Sequence, residues 1–215
     1  HLELREWLLS RGRTVDQSTD VAVIPGLYLE LGDAFVEKLS QASKGLVIGP
    51  GLDKGVQLGP LIDQQAIDKV EQHVQDAVAK GARLMTGGKR HALGGTFYEP
   101  TVLAGVKKGM LITEEETFGP VAAVIPFTSE SEVIQMANDS EFGLASYFYS
   151  KDISRIWRVA EALEFGMVGV NTGLISTEVA PFGGVKQSGL GREGSHMGIE
   201  EYLEVKYLAL GGIGT

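Results

Sequence analysis

Short apolar runs alternating with amphipathic helical stretches constrain this chain more than any other feature of its sequence, because a layered α/β domain is the arrangement that buries both patterns together. The clearest helical stretch follows Asp63, a capping residue, and places Ile67, Val70, Val74 and Val78 on one face before Lys80-Gly81 closes it ahead of a strand at Arg83 to Met85. Phe35, Val36 and Leu39 recur at helical spacing after Asp33 and end at Lys44-Gly45. Val121 to Phe127 is a continuous apolar run of strand length, and Ser129 with Glu132 offers a capping box to a helix through Ala137. Ala145 to Tyr149 reads as another strand. Asp152 then caps a helix whose Ile153, Ile156, Trp157, Ala160 and Leu163 make one apolar stripe, and Gly166 stops it before a strand at Met167 to Val170. The expectation is an α/β fold with a largely parallel sheet, flanking helices and right-handed crossovers.

The chain has 215 residues, of which 43% are hydrophobic, enough for one substantial core, and it fits a single domain better than two. Residues 1–26 show a short apolar cluster and then a polar run with no sustained period, so they read as a divergent, little-ordered segment. Residues 27–200 carry the α/β pattern, with a glycine- and proline-rich loop from Gly49 to Pro60 and a glycine-rich stretch from Asn171 to Gly198. Residues 201–215 include Tyr202 to Leu210, an alternating β-prone run that is either a strand joining another subunit, giving a homo-oligomer, or an ordinary edge strand.

Several function classes fall away. No run approaches the roughly 18 to 20 apolar residues that span a bilayer, so no membrane is expected. A net charge of -9 with both signs interleaved argues against nucleic acid, which needs a clustered cationic face. Cysteine is absent, which removes disulfides, thiolate metal sites and thiol nucleophiles together. The first residue is His1 and no signal segment follows, so a processed, truncated or engineered product of cytoplasmic origin is expected. Gly189-Leu190-Gly191-Arg192-Glu193-Gly194 matches G-x-G-x-x-G, but Lys186-Gln187-Ser188 before it and Ser195-His196 after it are not the strand and helix a dinucleotide fingerprint requires. No Walker sequence and no Gly-x-Ser-x-Gly elbow is present. His73, His91 and His196 lack metal-ligand spacing, and His73 reads as a solvated residue on its helix, so no metal is implied. Glu114-Glu115-Glu116-Thr117-Phe118-Gly119-Pro120 can be a solvated acidic turn. The less favoured alternative is a carboxylate placed to accept two ribose hydroxyls beside a ring that packs on a flat cofactor.

Gly59-Pro60-Leu61-Ile62, Thr86-Gly87-Gly88-Lys89, Glu115-Glu116-Thr117-Phe118-Gly119-Pro120, the run from Pro181 to Gly189, and Gly191-Arg192-Glu193 together resemble the aldehyde dehydrogenase superfamily in content and order. The similarity starts near Leu27. Asn171 to Ser176 and Arg192 to Ser195 look like the succinate-semialdehyde dehydrogenases within it. The resemblance implies NAD or NADP as cofactor, with Glu116 on the nicotinamide ribose and Phe118 beside the nicotinamide ring. It implies that Ser176 helps hold the substrate's distal carboxylate, that Phe182 lines the same mouth and that Glu193 relays a proton. Arg192 and Glu204 resemble a pair bracing a subunit interface.

In that family a thiolate attacks the aldehyde, hydride leaves to NAD(P), and a glutamate-activated water cleaves the thioester. The nucleophile's Gly-Gln-x-Cys stretch should lie near residues 10 to 25, and Arg11 to Val23 shows nothing like it. The catalytic Cys, the glutamate base, the oxyanion-hole amide and the nucleotide-binding domain are all missing. The leading expectation is therefore a truncated or frame-shifted catalytic domain, an oxidoreductase by ancestry that neither binds the cofactor nor oxidises a small aldehyde alone. The alternatives are a weak ester hydrolase acting through Ser176 or Ser188, and an oligomerisation module without chemistry.

Overall fold

The computed structural model describes residues 32–212 and 214; the divergent segment 1–26 and the expected nucleophile stretch lie outside the described residues. Helix α1 (Asp33–Lys44) leads through an irregular glycine-rich passage to α2 (Gln64–Ala79), whose N-terminus is capped by Asp63 accepting from the Ala66 amide at 2.8 Å. Strands β1 (Arg83–Thr86), β2 (Thr101–Ala104) and β3 (Val121–Val124) form a sheet in that order, β1–β2 antiparallel and β2–β3 parallel. A single helical turn, α3 (Leu111–Glu114), sits between β2 and β3. All four residues of β2 are buried because helices cover both faces of this sheet. Leu103 points into a cluster with Ile67, Val70, Val74 and Ala77 of α2, while Val102 and Ala104 meet Phe35 and Val36 of α1.

The second half continues with α4 (Glu130–Asn138), β4 (Phe142–Gly143), β5 (Ala145–Phe148), α5 (Ile153–Ala162), β6 (Met167–Val170), β7 (Val185–Lys186) and a 3-10 helix, Met197–Tyr202. Strands β5 and β6 pair in parallel across the α5 crossover, and β4 pairs antiparallel with β7. The expected capping box is present in shifted form: Ser129 accepts from the Glu132 amide, and Glu132 reaches back to the amide and hydroxyl of Thr128. Asp152 accepts from the amides of Ser154 and Arg155, as its position before a helix predicts. The Gly166–Gly183 approach explains one glycine: a Cβ on Gly166 would stand 2.1 Å from the Gly183 carbonyl oxygen.

The α/β class stands, with several corrections of detail. The strands fall into three small sheets rather than one, because each ladder closes after one or two partners among the described residues. The apolar run from Val121 stops pairing at Val124, ahead of Pro126, which cannot donate to a ladder. Helix α2 is rotated so that His73 and Ala77 are buried, whereas Val78 is 44% exposed. His73, expected in solvent, is 1% exposed, because the loop carrying Thr117 and Glu115 closes over it. The α5 stripe is only partly covered: Ile153 and Trp157 are exposed, Ile156, Ala160 and Leu163 are half-buried, and the buried residue of the helix is Val159, outside the stripe. Leu203 to Leu210 makes no ladder among the described residues and is exposed throughout, because an alternating run becomes a strand only beside an edge that offers it partners. Among the described residues no helix is long and apolar enough to cross a membrane.

Candidate functional site

Glu116 and Phe118 lie on the loop from Glu115 to Pro120 that joins α3 to β3. The loop is tightly drawn: Gly119 N donates to Thr117 O at 2.9 Å and Val121 N to Gly119 O at 2.8 Å, each spanning two residues. Its ends are anchored by Glu115 N on Leu111 O and by Thr101 N on Pro120 O, both at 2.8 Å. Gly119 runs against α2 so closely that an added Cβ would stand 2.4 Å from Val70 Cγ2. The backbone therefore turns the Phe118 ring outward, where it is 77% exposed. With Asp63, Gln65, Ala66, Lys69 and Val70 the ring lines a shallow hollow of about 240 Å³.

An exposed aromatic ring usually needs no explanation. Here it stands beside two exposed carboxylates, Glu115 and Glu116, and an ammonium, Lys69, whose Nζ is 3.6 Å from Glu115 Oε2. A flat apolar wall flanked by an acceptor-only carboxylate suits a ring joined to a polyhydroxylated sugar.

Behind the loop, His73 Nδ1 is 2.6 Å from Thr117 Oγ1 and its Nε2 is 3.6 Å from Glu115 Oε2. Burial holds the imidazole pKa below its ordinary value and Lys69 adds to this, against the opposing pull of Glu115 and Asp76. Lys69, His73 and Thr117 were not legible as site residues from sequence. The signal available was spacing: Lys69 and His73 are four apart on one helix and so share a side.

The second group stands on the loops that follow β6 and flank β7. Asn171, at φ 59°, ends β6, and its amide accepts from Ser150 N at 2.9 Å and donates to Ser150 O at 2.8 Å, tying the ends of β5 and β6 together. From that anchor the chain folds back so that Ile175 covers Gly169, and Ser176 follows in an exposed position. Phe182 and Glu193 are brought face to face as an antiparallel bridge, with Phe182 N on Glu193 O at 2.8 Å and Glu193 N on Phe182 O at 2.7 Å. Ser195 N donates to Glu178 O at 2.8 Å, closing the same loop from the other side. The structure thus unites Phe182 with Glu193 on one framework and Glu116 with Phe118 on another.

Three further expectations are placed by these contacts. Arg192 Nη1 donates to the carbonyls of Gly184 and Gly191 at 2.8 and 2.7 Å, bracing its own loop, while Glu204 stands in the exposed tail. Ser188 Oγ accepts from Gly143 N at 2.9 Å, a tie between β4 and the turn after β7. The Gly189 to Gly194 stretch is a turn with three glycines at positive φ, and the 3-10 helix begins only at Met197.

Fold, tethered acidic-aromatic loop and glycine-rich loops point to one class of protein: the chain belongs to the aldehyde dehydrogenase family, whose pattern matches residues 29–208. It is 60% identical over 204 residues to a glutarate-semialdehyde dehydrogenase of Pseudomonas aeruginosa, covering 95% of this chain and 41% of that one. It is 58% identical over 187 residues to the NADP-dependent succinate-semialdehyde dehydrogenase of Escherichia coli, covering 86% of this chain and 39% of the relative. Among solved structures, a succinate-semialdehyde dehydrogenase from Burkholderia pseudomallei superposes with a TM-score of 0.80 at 65% identity, over 82% of this chain and 36% of that chain. The chain spans about two fifths of the length of these curated relatives.

Proposed function

We propose that this chain supplies the nicotinamide-ribose wall and the substrate mouth of an NAD(P)-dependent semialdehyde dehydrogenase, and that alone it does not oxidise aldehydes. The observation that carries this reading is the outward Phe118 ring beside Glu116 and Lys69, on a loop pinned to α2, in a polypeptide without a cysteine. Glu116 would accept ribose hydroxyls, Phe118 would lie against the nicotinamide ring and Lys69 would offset the charge gathered at Glu115 and Glu116. When bound, the cofactor supplies a hydride acceptor. Ser176 would donate to the distal carboxylate of a semialdehyde, Phe182 would wall the mouth, and Glu193, held to Phe182 through the backbone, would take or hold a proton there. No thiol in the 215 residues can attack the aldehyde carbon. Removing the nucleophile of a covalent mechanism costs several powers of ten in rate.

The purified chain is assayed with succinate and glutarate semialdehydes and with NAD and NADP, following reduced cofactor. No formation above the protein-free blank is expected, and sustained turnover to the acid refutes the reading. Hydrolysis of p-nitrophenyl acetate that is lost in Ser176→Ala would instead establish an esterase. A second reading, self-association, is favoured by the tail, where Leu203, Val205, Tyr207, Leu208 and Leu210 are all at least 60% exposed. Sedimentation of the chain with and without residues 203–215 tests it: loss of the oligomer on truncation is expected, and an unchanged or monomeric intact chain refutes it.

A further inference from the structure

The buried face of α2 is apolar apart from one residue, since Ile67, Val70, Val74 and Ala77 line it with His73. Placing an imidazole there forfeits hydration that an aliphatic residue would not need. What it gains is contact with both neighbours of Glu116. Nδ1 meets the Thr117 hydroxyl at 2.6 Å, and Nε2 faces the Glu115 carboxylate at 3.6 Å. One imidazole therefore hydrogen-bonds the residue after the carboxylate assigned to the ribose and faces the residue before it.

We propose that His73 is the positioning residue for Glu116, holding the loop from Glu115 to Phe118 in place through Thr117 and Glu115. This rests on the reading of Glu116 as the ribose ligand. In the neutral form Nε2 carries the proton, directed at the carboxylate, and Nδ1 accepts from the Thr117 hydroxyl. Protonation puts a hydrogen on Nδ1 as well, so the Thr117 hydroxyl must turn to accept, and the polarity of the contact reverses. The charged groups facing the ring are Lys69 and Asp76 from its own helix and Glu115 from the loop. Lys69 also approaches the same Glu115 oxygen, so a charge on His73 would compete with it for that carboxylate. Loop position and imidazole protonation are thereby coupled.

The test uses the full chain labelled with nitrogen-15, following the imidazole nitrogens and the amides of Glu116, Thr117 and Phe118 by NMR as pH is lowered. The expected result is the Nε2–H tautomer near neutrality and loop amides that shift with the same midpoint as the imidazole. Thr117→Ser, which keeps the hydroxyl, preserves that common midpoint. Thr117→Val removes it and speeds amide exchange at residues 116–118 by about tenfold, the worth of one hydrogen bond. Loop amides that ignore imidazole protonation overturn the proposal, as does Thr117→Val exchange equal to wild type; the wild-type titration alone decides if that variant fails to fold. Addition of nicotinamide mononucleotide tests the underlying reading separately. A shift at the Glu116 amide, weakened about tenfold in affinity by Thr117→Val, supports both. No shift overturns the ribose assignment and leaves the imidazole titration to judge the coupling between His73 and the loop.

Discussion

Gly119→Ala probes the contact that turns the site loop outward. The new Cβ would lie 2.4 Å from Val70 Cγ2, more than an ångström inside the ordinary carbon–carbon separation of about 3.5–4.0 Å. Val70 is 1% exposed and cannot swing into solvent. Its helix is held at Asp63 and by Arg90, which binds Glu71 through two nitrogens at 2.9 and 2.7 Å. Overpacking of this kind costs about 1–3 kcal/mol, which for a protein of this size lowers the midpoint of thermal unfolding by roughly 2–12 °C. Val70→Ala alone, losing the transfer energy of two methyl groups and opening a small cavity, costs roughly 1.5–3 kcal/mol. If the clash is the cause, the double variant is less unstable than the sum of the singles by about 1–2 kcal/mol, because the atom that the added methyl would strike is gone. Urea unfolding of the four proteins measures this cycle. Additivity within about 0.5 kcal/mol, or a Gly119→Ala cost below that amount, refutes the argument that Gly119 is needed for close approach.

Protonation of His73 should weaken the fold. Its folded pKa is lowered by burial and by Lys69, so the unfolded side chain, titrating at about 6.5, takes the proton first. The contribution is complete above that pH and declines as pH falls through it toward the lower folded value. Urea midpoints between about pH 7.5 and 5.5 should fall, and His73→Gln should flatten the curve; a wild-type curve already flat refutes the claim. Tyr98 is 1% exposed with a hydroxyl that has no hydrogen-bond partner among the described residues, and burial pushes its pKa up to about 12. Tyr98→Phe should be neutral or stabilising by up to about 1 kcal/mol in the same assay, and a loss above that amount would reveal a hidden partner. Asp63→Ala removes the acceptor for Ala66 N and should cost about 0.5–2 kcal/mol, with Asp63→Asn recovering most of it.

The helices were legible because capping residues and periodic apolar positions sit close together in sequence. Asp63, Ser129 and Asp152 all cap where their spacing to the apolar face placed them. Strand positions were legible to within a few residues, but their pairing was not, since whether β3 continues toward β5 depends on which chain lies between them. The partly covered stripe of α5 shows the same limit from the other side. Amphipathicity states that a face wants burial, and Ile153 and Trp157 remain exposed because nothing among the described residues supplies the covering surface.

For the site, motif content put Glu116 and Phe118 on one loop, but the pairing of Phe182 with Glu193 came only with the fold, and the residues that make the first loop rigid were left out. His73 failed because a histidine at a helical position has two physical readings, solvated or satisfied in the core, and the choice depends on a partner 44 residues away, Thr117. A helical wheel drawn through Val70 and Val74 places position 73 at the margin of the apolar face. Only the approach of the Glu115–Pro120 loop, possible because position 119 is glycine, carries that margin under cover. Gly119 and His73 are thus two halves of one arrangement. The missing Cβ lets the backbone reach α2, and the imidazole meets the polar side chains the backbone brings with it. Substituting an apolar residue at 73 would leave Thr117 Oγ1 facing an apolar wall and Glu115 with Lys69 alone, and the loop would then settle where water, rather than α2, satisfies the Thr117 hydroxyl.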